Sequence, residues 1–266
     1  MEHFFSQFSE LVAGIISKAP QVEAQSEEEG MYKGLVLFSF IKGWKTFQSI
    51  FALCNKKFAE DAAILARSLF ELSVNLLYIS ADPLPRSRLF LEYDYLQRKG
   101  ILDRLTKVPD DPWAKNILDM GDPEALKVLR LQYERVKGNY PDKRYWSGKK
   151  LGEMAKEAQV EVHYTYGYRI LSNLVHVSPQ AIRKFLRPTG SEIEVAFESS
   201  AEDVQMVLVL SCMCFLLLLD KKNAVFKLGF DARIIQLNEE IQKTVLSGST
   251  NKGHTTGLAI GAEGGK

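Results

Sequence analysis

AAILARSLFELSVNLLYI, residues 62–79, decides the fold. Apolar residues cover this segment on nearly every side of a helical wheel, which predicts a helix buried at the centre of a domain. It contains no glycine or proline, and the helix is expected over 59–80, ending before Asp82-Pro83. Arg67 and Glu71 are its two charges. At about 100° per residue they lie about 40° apart, on one stripe with Tyr78 and flanked by Asn75. A buried charge is costly unless it is paired. These two can pair at i,i+4, but arginine before glutamate is the weaker order, so further hydrogen bonds are expected from elsewhere in the chain.

The flanking sequence repeats the helical period. Phe4, Phe5, Phe8, Leu11, Val12, Ile15 and Ile16 share one face, so residues 1–30 read as an amphipathic N-terminal helix followed by an acidic linker with Glu27, Glu28 and Glu29. A single lysine, Lys18, on its polar face argues against a membrane surface and for packing on the domain or on a partner subunit. Residues 31–246 read as the helical domain, with further helices over 32–57, 86–107, 112–120, 123–137, 149–158, 164–177, 201–221 and 231–246. Asp-Pro pairs start the helices at 112 and 123. Residues 191–197 alternate enough for one short hairpin arm, and the glycine- and threonine-rich stretch 247–266 reads as a disordered tail. The expected fold class is all-α: a single multi-helix, bundle-like domain with at most one short β-hairpin near 191–197.

Bulk properties narrow the function classes. The chain has 266 residues, 25% of them charged, and a formal net charge of +1, so there is no global attraction to nucleic acid or anionic lipid. An odd, sparse set of three cysteines and no C-x-x-C pair point to a reducing, cytoplasmic compartment, with no zinc site. The apolar run 206–219 falls short of the roughly 20 residues that span a bilayer, and it reads as a core helix. No phosphate-cradling glycine loop, nucleophile elbow or di-iron carboxylate set occurs, so neither metal nor cofactor is expected.

A second polar stripe lies in YTYGYRILSNLVHVSP, residues 164–179. Thr165, Arg169, Ser172 and His176 recur at spacings of 4, 3 and 4 among apolar neighbours, with the histidine near a helix C-terminus, which favours imidazolium. Each stripe reads either as a buried structural network or as a site. Basic residues also cluster. Between 127 and 150 lie Lys127, Arg130, Arg135, Lys137, Lys143, Arg144, Lys149 and Lys150 against only Glu134 and Asp142, with Tyr133, Tyr140, Tyr145 and Trp146 interleaved. Such a surface can track phosphates and stack bases, or it can be an ordinary solvated face.

The segments ARSLFELSVNLLYI, YWSGKKLGEMAKEAQ and YGYRILSNLVHVSP resemble a bacterial family of helical domains of unknown function, over roughly 35–188. The motifs that carry this are R-S-x-x-E and Y-R-x-x-S-x-x-x-H. More distantly, Arg169-x6-His176 is similar to the R-x(4–6)-H motif of the HEPN superfamily of helical nucleotide-binding domains, although Ile170 stands where those nucleases usually carry a polar residue. Many of these are metal-independent ribonucleases of toxin and antiphage systems that act as dimers. The resemblance implies His176 as general acid or base at a ribose 2′-hydroxyl and Arg169 stabilising the phosphorane. The two polar stripes add Ser172, Glu71 and Arg67 to the candidate catalytic set. Lys143, Arg144, Trp146, Lys149, Lys150, Tyr164 and Tyr168 form the candidate substrate-binding set. RNA and a second copy of the chain are the partners it implies. Two other readings stay open: a non-enzymatic helical interaction protein, and a small-ligand sensor using the same polar residues.

Overall fold

A computed structural model describes residues 2–18, 24–168, 171, 182, 185–189 and 192–250; for 166, 187–189 and 245–250 it describes the backbone alone. Three long helices form the centre: α2 (Glu27–Asn55), α3 (Ala59–Ser80) and α8 (Ala201–Phe226), each packed on the other two. α2 and α3 make a helical hairpin whose turn passes through Lys57 in the left-handed region, φ 58°. α3 has the bounds expected from its sequence.

The aromatic content of α2 explains how α1 (Glu2–Ser17) is held. Phe5 stacks on Phe51 with ring centroids 4.1 Å apart, and Phe8 meets Phe47 at 5.0 Å and Phe215 of α8 at 5.6 Å. Phe215 is fully buried at the meeting point of α1, α2 and α8, where burial of one such side chain contributes about 1.5–3 kcal/mol. The N-terminal helix therefore packs on its own domain. Gly43 lets α2 and α8 approach closely, since a Cβ there would stand 2.4 Å from Leu218 Cδ1. The buried Ser73 hydroxyl lies 2.9 Å from Leu69 O and 3.0 Å from Cys214 O, which ties α3 to α8 and keeps that hydroxyl paired.

A second layer covers one side of this core. α4 (Pro83–Leu105) packs on α2 and on α6 (Pro123–Val136), with α5 (Pro112–Asp119) beside it. A 3-10 turn over Lys137–Asn139 leads into the loop that reaches α7 (Leu151–Glu157), which packs on α3. Leu96, Val136 and Tyr140 form a small core of their own between α4, α6 and that loop. α9 (Asp231–Thr250) packs on α8. By length and composition α3 and α8 could each cross a membrane; here they bury their apolar faces on each other and on α2.

Several expectations change. Residues 27–29 are not linker but the first turn of α2: the Ser26 hydroxyl caps Glu29 N at 3.2 Å, and acidic side chains favour the positive end of the helix dipole. α8 runs past 221 to Phe226 and stops at Lys227, φ 52°. α9 takes in 247–250, which had read as tail; 251–266 lie outside the described residues. The hairpin is present, with strands β1 (Leu186–Thr189) and β2 (Glu192–Val195) antiparallel and Leu186 opposite Val195. It begins earlier than 191, because Leu186–Thr189 supplies the first strand and Glu192–Val195 the second.

Candidate functional site

The polar edge of α3 holds the first stripe. Arg67, Glu71 and Asn75 follow one another at i,i+4 and are half-buried. Arg67 Nη2 donates to the Tyr168 hydroxyl at 2.9 Å, and that hydroxyl donates to Glu71 Oε1 at 2.9 Å. The extra hydrogen bond that the unfavourable Arg-before-Glu order calls for thus comes from a tyrosine about a hundred residues away in sequence. The guanidinium also lies over the Tyr168 ring, 4.7 Å from its centroid. Burial, above all, holds the Tyr168 phenol above its ordinary pKa, so it stays neutral and can donate.

A local irregularity sets Tyr168 in place. Residues His163–Tyr168 form a π-helical turn where the sequence reads as an ordinary α-helix. The wider i→i+5 turn departs from about 100° per residue, and Thr165 is exposed rather than on a buried seam. Tyr164 and Tyr168, four apart, stack at 5.4 Å, and both lie against Phe70, at 6.2 and 5.4 Å. Gly167 is needed at this contact, because a Cβ would stand 2.6 Å from Leu210 Cδ1 of α8. His163 opens the turn and was not marked by spacing. Its buried Nδ1 has no hydrogen-bond partner among the described residues, and burial holds its pKa below the ordinary value.

Asn75 extends the same edge toward the basic loop. Trp146 donates its indole N–H to Asn75 Oδ1 at 2.7 Å, and Asn75 Nδ2 donates to Glu71 O at 2.7 Å. The Trp146 ring meets Tyr78 at 5.6 Å and Phe90 at 5.1 Å, both edge-on. Tyr78 is buried below it, with the Arg86 guanidinium 3.8 Å from its ring centroid. Trp146 therefore anchors the loop to α3 and α4, with its N–H already occupied. Tyr164 is likewise engaged in ring packing.

The basic set is partly neutralised by carboxylates, some of them beyond the counted stretch. Arg135 Nη2 lies 3.4 Å from Glu92, Lys127 lies 3.8 Å from Glu124, Arg144 Nη2 lies 2.9 Å from Asp142, and Lys149 pairs with Glu157. Lys143 Nζ donates to the Tyr133 hydroxyl at 3.2 Å, and Lys150 is exposed. Of the candidate catalytic residues, Arg67 and Glu71 are brought together around Tyr168. Arg169, Ser172 and His176 lie outside the described residues; Arg169 directly follows Tyr168 in sequence.

A model of a family of unknown function, DUF5677, matches residues 33–193. The chain belongs to this family. The DUF5677 region includes Arg67, Glu71, Asn75, Trp146 and Tyr168, and so the whole polar edge described above. It leaves out α1, α8 and α9, although α8 supplies Phe215 and Leu218 to the core. No curated protein and no solved structure matches the chain.

Proposed function

We propose that this chain is a HEPN-like protein that binds RNA or cleaves it without a metal, in a cytoplasmic stress or antiphage-defence module. The observation that supports this reading is the seat of Tyr168. Its hydroxyl is held between Arg67 and Glu71 and its ring lies on Phe70, so the chain entering Arg169-x6-His176 is anchored to the central helix. Catalytic groups need such rigid support to hold a productive geometry. In this reading His176 takes the proton from a ribose 2′-hydroxyl, the 2′-oxygen attacks phosphorus, and the 5′-oxygen departs. Arg169 neutralises charge building on the phosphorane. Arg67, Glu71 and Tyr168 are positioning residues.

The test uses the full chain with EDTA present and a mixed-sequence single-stranded RNA. Cleavage by the wild type, lost in His176→Ala and Arg169→Ala while melting temperatures stay within a few degrees, supports the reading. If the wild type neither cleaves nor binds RNA, the reading fails. A non-enzymatic interaction protein is then the better account, favoured by the engaged Trp146 indole and the carboxylate partners of the basic loop.

A further inference from the structure

A separate polar cavity of about 350 Å3 opens between the first turn of α2 and the α4–α6 pair. Its charged lining is Glu27, Glu28, Arg88, Glu92 and Arg135, and its apolar lining is Met31, Leu91 and Tyr95. Glu92 has a side chain only 11% exposed and is the fixed point: its Oε1 lies 3.2 Å from Arg88 Nε and 3.4 Å from Arg135 Nη2. Each guanidinium therefore uses one N–H on a shared oxygen and keeps the rest of its donor fork for another acceptor. Glu27 and Glu28 are exposed and have no ion-pair partner within 4 Å among the described residues. They stand on the same cavity wall system as the two arginines without closing onto them.

This lining selects by charge. Three carboxylates against two guanidiniums give one excess negative charge at neutral pH, which repels a polyanion such as RNA. A simple cation would meet the arginines. A small molecule with both a carboxylate and an ammonium group answers both sets, and Met31, Leu91 and Tyr95 offer its apolar part a surface. The volume suits one or two amino-acid residues, near the lower end of the range for small-molecule sites. We propose that this cavity binds a zwitterion of the α-amino acid or dipeptide class, with its carboxylate on Arg88 and Arg135 and its ammonium on Glu27 and Glu28. The site is independent of the RNA reading.

Calorimetric titration of the full chain with L-leucine and with L-leucyl-L-leucine tests it. Saturable binding of at least one probe is expected. Removing one sign of charge should weaken it roughly tenfold or more, whether on the ligand, as the N-acetyl or the amide form, or on the protein, as the double variants E27Q/E28Q or R88Q/R135Q. These four side chains are surface-exposed, and far-UV circular dichroism of the variants checks the fold. The proposal is overturned if neither zwitterion binds at millimolar concentration, or if the variants bind as well as the wild type.

Discussion

Tyr168 stands between Arg67 and Glu71 and replaces the direct contact expected of two charges one helical turn apart. Its hydroxyl accepts from one and donates to the other, both at 2.9 Å. Tyr168→Phe keeps the ring on Phe70 and removes only the bridge. It should lower the unfolding free energy by about 1–3 kcal/mol, read by urea denaturation. Full wild-type stability in that variant would mean that the bridge carries no weight.

Asn75 and Trp146 tie the basic loop to the central helix. Asn75→Ala leaves the half-buried indole N–H without its acceptor and should cost about 1–3 kcal/mol. Trp146→Ala also loses the contacts with Tyr78 and Phe90 and should cost about 3–5 kcal/mol. Limited proteolysis should then cut first within 137–150. An uncut loop in Trp146→Ala would show that other contacts hold it.

Lys222 is buried with its Nζ 3.7 Å from the Phe40 ring centroid, and burial lowers its pKa from 10.5 to about 8. Among the described residues no carboxylate pairs with it. Between pH 8 and 10.5 the unfolded chain holds this proton more tightly than the folded one, so this group's contribution to stability rises with pH across that window. Below pH 8 both states are protonated and the burial penalty is constant. Lys222→Met should therefore be more stable than wild type at pH 7, with the difference shrinking as pH rises toward 10.5. A pH-independent difference would contradict the assignment.

Gly43 sets the α2–α8 distance. Gly43→Val must push into Leu218, which is buried and has little room to turn. Overpacking at such a contact costs about 1–3 kcal/mol, seen as a lower melting temperature. The exposed Gly34, with nothing near its missing Cβ, serves as control: Gly34→Ala should stabilise α2 by up to about 1 kcal/mol. Equal effects at the two positions would refute the close-approach argument.

Much of the fold was legible because helical signals are local. The bounds of α3 follow from an unbroken apolar wheel and the Asp82-Pro83 stop, and the Asp-Pro starts of α5 and α6 are helix signals within a few residues. Local signals also fixed Arg67 and Glu71 on one stripe. They misled at 27–29, where a run of glutamates looks like linker although Ser26 caps it, and at 164–168, where no short-range pattern distinguishes a π turn from an α turn.

The sequence by itself determined the all-helical class, the central helix and the pairing need of its two charges. Tertiary structure alone decided who answers that need and which basic residues meet carboxylates. It also decided that Trp146 faces Asn75 and that Arg88, Glu92 and Arg135 share a cavity wall with Glu27 and Glu28. The reason is physical: backbone preference acts over one turn of helix. Charge pairing, ring packing and cavities depend on which distant segments the apolar faces bring within a few ångströms.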